Sequence, residues 1–458
     1  MAIDDAVAEL SSVLGQRLSV SKSDLRQHGL SETYFPEAPP DAVAYPESTE
    51  EVAAIVRCCA RHRCPVVGWG AGTSLEGQAQ AVQGGLCVDF SRMNRVLEIA
   101  HGDMDVRVQP GVTREALNNE LRATGLFFPV DPGANATIGG MTSTRASGTT
   151  AVRYGTMREN VLGLEVVTAS GDIIHTGTRA RKTAAGYDLT ALFVGSEGTL
   201  GLVTEINLRL QGVPEAISAA VCAFDTVRAA VDTVMATVQM GLPMARIELM
   251  DTQSIAAVNA YAGSNLAPCP HLFLEFHGSE AGVAEQAQSF GELARDFGGK
   301  GFDWARKTED RSALWAMRHN AYYAITAARP GTKALVTDLC VPISKLADAI
   351  DACRSELDNA GIAGPILGHV GDGNFHAVLQ FNDADPTERT RVIEVSERLV
   401  DMALEMGGTA TGEHGIGIGK LGYMPREHGE GWVVMGSIKA ALDPDNIMNP
   451  GKLVPARN

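Results

Sequence analysis

"VVGWGAGTSLEG" spans Val66–Gly77. Its two β-branched residues open a short buried strand, which runs straight into Gly68-Trp69-Gly70-Ala71-Gly72-Thr73-Ser74. Glycine lets backbone N–H groups turn toward one anion, and Thr73 and Ser74 add hydroxyl donors. A pyrophosphate is the natural occupant of such a cradle. No lysine is present to make a Walker A loop, and Leu75 stands where a Rossmann fingerprint needs its third glycine. By itself the loop reads equally well as a plain turn.

The flanking sequence supplies the rest of a domain. Upstream, Ser48 and Glu51 predict a capping box, with Val52, Ile55, Val56 and Cys59 at helical spacing until Pro65. Downstream, residues 86–90, 95–99 and 105–111 read as strands, and 113–125 as an amphipathic helix with a glycine stop. Residues 160–177 read as a hairpin joined at Ser170-Gly171-Asp172. Two more small-residue stretches occur, "FPVDPGANATIGGMTSTRASGTTAVRYGTMRENV" (128–161) and "GSEGTLGLVTEI" (195–206). A flat cofactor bearing a pyrophosphate needs backbone close to its rings and hydroxyls at its edges. Trp69 offers a ring for stacking, although its backbone alone could be what matters.

The chain has 458 residues, enough for about two to three domains. Its formal net charge of −17 disfavours a nucleic-acid partner. No apolar run is long enough for a transmembrane segment, and the acidic N-terminal stretch fits no targeting peptide. The expected location is cytoplasmic, with peripheral association at the inner face of a membrane allowed. The eight cysteines form no C-x-x-C pair and no iron–sulfur spacing, so electron transfer requires a bound cofactor. Cys340 has no histidine beside it in sequence to activate it as a nucleophile. The expected domains are a helical lead-in (1–39), a mixed α/β domain (40–212), a second domain (213–430) and a C-terminal segment (431–458). "GVPEA" (212–216) is the linker, and the second domain alternates strands and helices as an antiparallel sheet with helices on one face.

In that second domain, "GHVGDGNFH" (368–376) holds two of the eleven histidines. With Asp372-Gly373 as a two-residue hairpin loop, His369 would face His376 with Cβ atoms about 5 Å apart. Two imidazoles so placed can grip one ion.

The order of "GTSLEG", "FPVDPGA", "GTTAVRYGTMRENVLGLEVV", "GYDLTALFVGSEGTLGLVTEI", "GHVGDGNFH", "TGEHGIGIGK" and "MNPGK" resembles the FAD-linked D-2-hydroxyacid dehydrogenases of the vanillyl-alcohol oxidase, or PCMH, type of flavoprotein. The likeness covers nearly the whole chain and runs to the cytochrome-type D-lactate dehydrogenase branch. Arg145-Ala146-Ser147-Gly148 stands where the D-2-hydroxyglutarate relatives tend to carry Asn-Ala-Gly-Gly. The resemblance implies an α+β fold: a PCMH-type FAD-binding domain of two α/β subdomains, plus a substrate (cap) domain whose antiparallel sheet is covered by helices. It implies FAD at Gly68, Gly70, Ala71, Gly72, Thr73, Ser74, Pro132, Gly133, Thr137, Gly140, Thr144, Ser147, Gly148, Glu197, Val203 and Asn449, with the C-terminal segment returning to the flavin. Residues 66–80 contain no His or Cys for covalent attachment, so the FAD is expected to be non-covalent.

Glu413-His414 adds a carboxylate and a third imidazole. Two imidazoles and a carboxylate make a facial set for a divalent ion, with Zn, Mn or Fe all suited to N/O donors. In the family, the residues matching His369, His376 and Glu413 hold such an ion, and the one matching His414 acts on the substrate. The ion would lower the pKa of the α-hydroxyl, His414 would take its proton, and the C2 hydride would pass to flavin N5. Arg318 would clamp the substrate carboxylate as the matching family arginine does, with Lys333 assisting. The expected acceptor is cytochrome c, a quinone or an electron-transfer flavoprotein, and a homodimer is allowed. A glycolate oxidase flavin subunit, with iron–sulfur partner subunits, fits the same site, and a D-2-hydroxyglutarate dehydrogenase would need an extra cation for the distal carboxylate. A non-redox transferase like alkyl-glycerone-phosphate synthase would need a lipid channel and basic residues for a phosphate, against which the acidic balance argues, and a non-catalytic flavin subunit would need none of the acid-site residues.

Overall fold

The computed structural model describes residues 2–31, 33–305 and 307–455. The chain divides into two compact units. The first takes Met1–Ser147, Gly155–Val213 and Glu413–Asn458, and the second Gly148–Tyr154 and Pro214–Gly412.

In the first unit, a four-stranded sheet runs in the order Leu18–Ser19, Ala42–Ala44, Leu86–Asp89, Val66–Trp69. The last three strands are parallel. Strands buried on both sides read as continuous apolar runs, as "VV" and "LCV" do. The helix Thr49–His62 buries Val52, Ile55, Val56 and Cys59, with Leu10 and Leu14 of the helix Ala2–Leu14 in the same core. Ser48 caps the helix by accepting the Glu51 N–H, but only this half of the expected capping box forms. The Glu51 carboxylate turns instead to the Glu47 N–H (2.8 Å) and to the Arg17 guanidinium. A second, five-stranded sheet is antiparallel throughout, in the order Val96–Ala100, Asp105–Val108, Gly201–Arg209, Val161–Thr168, Ile173–Gly177. Its Val161–Gly177 hairpin turns at Ser170-Gly171-Asp172 as expected. The end of the chain returns to the first sheet, where Asn449 N–H donates to Val66 O.

The second unit is built on an eight-stranded antiparallel sheet. Its order is Lys300–Ala305, Ala216–Ala223, His271–Gly278, Met244–Met250, Ile366–Gly368, Asn374–Phe381, Lys333–Val336, with Leu339–Cys340 also pairing with Asn374–Phe381. Helices cover both of its faces rather than the single face expected. Phe276 meets Phe290 of the helix Glu280–Asp296, while Phe273, three residues earlier, packs with Ile255, Trp315 and Ile325. The strand His271–Gly278 is buried at both parities, so each face needs its own apolar layer. Architecture and sheet types agree with the α+β expectation. No helix among the described residues is long and apolar enough to cross a membrane.

Candidate active site

In the second unit the two histidines meet, by a different register from the one expected. His376 pairs with Leu367 across the ladder, which places His369 beyond its end. The connection is a short 3-10 turn, Val370–Asp372, closed by Gly373 at φ +81°. A two-residue type I′ loop would need positive φ at Asp372 as well, and Asp372 does not adopt it. Gly373 is fixed here because a Cβ would lie 2.2 Å from Val341 O. The rings of His369 and His376 still come to 5.6 Å between centroids, nearly perpendicular.

Each ring has its tautomer set by a neighbour that can only accept. His376 Nδ1 donates to Thr337 O at 2.9 Å, and His369 Nδ1 donates to the Glu248 carboxylate at 2.8 and 2.9 Å. In the neutral form of each ring, Nε2 then carries the electron pair. Glu248 is fully buried and also holds Arg318, with Nη2 to Oε2 at 2.7 Å. Arg318 sits on the helix Thr308–His319, three residues after Trp315, and is buried. Its Nε has no hydrogen-bond partner among the described residues. A buried guanidinium with donor capacity left over fits a carboxylate ligand.

Asp338, buried completely, lies with Oδ1 3.6 Å from His376 Nδ1. Its carboxylate accepts from Asn374 Nδ2 (2.9 Å) and Thr411 Oγ1 (2.6 Å), and its carbonyl accepts the Gly412 N–H (3.1 Å). Glu413 is the next residue of the chain. Lys333 is not brought to this group. It faces Phe381 across the ladder, five residues from His376 and so about 17 Å along the strand, and it pairs with Asp383 at 3.0 Å. The Cys340 thiol donates to Asp372 O.

The small-residue segments converge within the first unit. A Cβ on Gly70 would lie 2.2 Å from Thr137 Oγ1, so only glycine allows the first loop to touch the second stretch. Thr137 caps the helix Ile138–Thr144 by accepting the Gly140 N–H, and Thr144 returns its hydroxyl to Gly140 O. Gly195 and Glu197 donate their N–H groups to Thr142 O and Ser143 O, which joins the third stretch to the second. Val203 is buried on the strand Gly201–Arg209. Gly68 lies in the strand Val66–Trp69, and Ala71, Gly72, Thr73 and Ser74 follow it without regular structure. Pro132 and Gly133 lead into the Thr137 cap, a Cβ on Gly133 meeting nothing within 4 Å. Ser147 and Gly148 mark the crossing between units. The Trp69 ring is buried, lying against Gly72 and His28.

Two expected cofactor residues spend their side chains on the protein. Glu197, at φ +52°, accepts the N–H groups of Ile416 (2.7 Å) and Gly417 (2.8 Å). Burial pushes its carboxyl up to about 6 against those bonds. Asn449 Nδ2 donates to Gln78 O (3.0 Å) and Glu197 O (2.6 Å). Lys452, unremarked in the sequence reading although it ends "MNPGK", donates to Gln78 O, Gln80 O and Asn449 Oδ1. Burial pushes its amine down to about 7. Gln78 Nε2 donates to His414 O at 2.6 Å, so this knot also fixes the backbone of the Glu413-His414 segment. His414 Nε2 lies 4.0 Å from Glu413 Oε1.

Residues 40–177 match the FAD binding domain family, and residues 213–453 match the family of FAD linked oxidases, C-terminal domain. The chain belongs to the FAD-linked oxidase family. Among its relatives, this flavoenzyme is 51% identical to the probable D-lactate dehydrogenase, mitochondrial, of Danio rerio, over 99% of this chain and 92% of that protein. It is 44% identical to the D-lactate dehydrogenase [cytochrome], mitochondrial, of Arabidopsis thaliana, over 98% of this chain and 80% of that one. The solved structure of p-cresol methylhydroxylase with substrate bound superposes with a TM-score of 0.82 at 17% identity, covering 98% of this chain and 96% of that one, and shares the fold. The resemblance to cytochrome-type D-lactate dehydrogenases stands, and this FAD-linked oxidase is an oxidoreductase. The convergence of Gly70, Thr137, Ser143, Glu197 and Asn449 in one unit fits the flavin the family binds.

Proposed function

We propose that this enzyme oxidises a D-2-hydroxy acid, with D-lactate to pyruvate as the principal reaction, and delivers the electrons to a cytochrome-type acceptor. The observation that carries the reading is the buried Glu248 carboxylate holding both Arg318 and His369, with His376 5.6 Å from His369. Arg318 receives the substrate carboxylate through the N–H groups that Glu248 leaves over. His369 and His376 offer Nε2, and Glu413 a carboxylate, to a divalent ion of the Zn, Mn or Fe type. Such an ion, when bound, supplies a Lewis acid that lowers the pKa of the α-hydroxyl. His414 takes the hydroxyl proton on its ring nitrogen. FAD, when bound without a covalent link, supplies the two-electron acceptor. The first unit serves as the flavin domain and the second as the substrate cap. The names carried by the two D-lactate dehydrogenases support the choice of substrate and acceptor.

The test is to mix the yellow protein anaerobically with D-lactate, L-lactate, glycolate and D-2-hydroxyglutarate in turn and follow the flavin absorbance. D-lactate should bleach it fastest and L-lactate should not. Faster bleaching by glycolate or hydroxyglutarate would keep the chemistry and change the substrate. No bleaching by any of the four would refute the oxidation.

A further inference from the structure

We infer that Glu248 is a positioning residue that couples the ion-binding imidazole to the carboxylate-binding arginine. The inference rests on the reading just given, and Glu248 would act through His369 and Arg318, the two side chains its carboxylate holds. Three observations lead to it. The carboxylate is wholly buried on the strand Met244–Met250, where an ionised group is costly unless it is paired. Its two oxygens receive His369 Nδ1 at 2.8 and 2.9 Å and Arg318 Nη2 at 2.7 Å. These partners come from separate elements, the turn after Ile366–Gly368 and the helix Thr308–His319.

Both neighbours are donors, so the position needs two acceptor oxygens. Only a carboxylate supplies them, because an amide of the same shape turns an NH2 toward one of the two. In Glu248→Gln, either Arg318 loses its anchor or His369 must present an electron pair at Nδ1. The second outcome moves the proton to Nε2, the nitrogen the ion would need. Removal of the charge also leaves the guanidinium in a buried setting without its counter-ion. Loss of an outer partner of a metal-binding imidazole typically weakens metal binding about 10- to 100-fold.

The experiment uses the FAD-loaded protein without substrate and reads free Mn2+ by its electron paramagnetic resonance signal. Glu248→Gln should bind Mn2+ about 10- to 100-fold more weakly than the parent, with the flavin spectrum retained. The D-lactate concentration for half-maximal bleaching should rise in the same variant, because Arg318 shares the carboxylate. His376→Asn serves as the control, since it removes an ion ligand and leaves Glu248 alone. If His376→Asn loses Mn2+ while Glu248→Gln binds it like the parent, the positioning role is overturned and the ion site stands. If the parent binds no Mn2+, the ion site fails and the inference fails with it. Should Glu248→Gln fail to fold, 15N-histidine spectra of the metal-free parent decide the matter, with His369 assigned by its loss in His369→Asn. The Nδ1–H tautomer supports the inference and the Nε2–H tautomer overturns it.

Discussion

Arg318→Lys separates the clamp from the charge. Arg318 spends an Nη2 N–H on Glu248 at 2.7 Å and keeps a buried Nε without a partner among the described residues. Lysine preserves the positive charge beside Glu248, so the buried carboxylate is not left alone. It has no planar fork, however, and cannot hold Glu248 and a substrate carboxylate in the same geometry. The loss is one hydrogen bond to a charged group, about 1.5–3 kcal/mol. At 1.4 kcal/mol per decade this weakens D-lactate binding by roughly 10- to 100-fold. Stopped-flow bleaching under anaerobic conditions measures it, because the rate saturates with D-lactate concentration and the half-saturation point reports binding. The limiting rate should change far less, since in the proposed role the arginine would meet the substrate carboxylate rather than the reacting carbon. A variant that keeps its flavin and its D-lactate half-saturation would show that Arg318 does not receive the substrate.

Three further outcomes follow from the same geometry. Lys333→Met should leave the half-saturation and limiting rate unchanged, because Lys333 pairs with Asp383 far along the strand from His376, and a half-exposed ion pair contributes little. Gly373→Ala should lower the melting temperature, since left-handed backbone costs about 1–2 kcal/mol for a residue with a Cβ and that Cβ would strike Val341 O. Glu197 has its folded pKa raised from 4.5 to about 6, so its contribution to stability is complete below pH 4.5 and is lost as pH rises through 6. Glu197→Gln should flatten that part of the profile of melting temperature against pH, and an unchanged profile would contradict the burial of an ionising group there.

The parts of the fold legible in the sequence were those written locally. Val66-Val67 before four closely spaced glycines gave the strand and its loop, and Ser170-Gly171-Asp172 gave the hairpin. The His369–His376 register was not local. Gly373 takes its left-handed turn under Val341 O, which follows the strand Leu339–Cys340, so the Asp-Gly signal named the wrong turn while still bringing the rings together. Glu248 was missed for a similar reason. "RIELM" reads as an apolar strand with two charges on one face, and those charges were the available signal. Its partners Arg318 and His369 stand 70 and 121 residues away, and no spacing rule joins them. Arg318 itself was found, but the helix pattern alone would have left it on the surface rather than buried against Glu248. Helices on both faces of the second sheet were also hidden, because an all-buried strand such as His271–Gly278 shows no alternation to say which side is covered.

The central claim is that a divalent ion held by His369, His376 and Glu413 assists His414 in taking the hydroxyl proton while the flavin is reduced. The most direct measurement mixes the purified protein anaerobically with D-lactate before and after chelation, then again after a divalent ion is restored. The account predicts fast bleaching, its loss on chelation with FAD still bound, and its return with the ion. Bleaching at an unchanged rate in the fully chelated, FAD-loaded protein would contradict it.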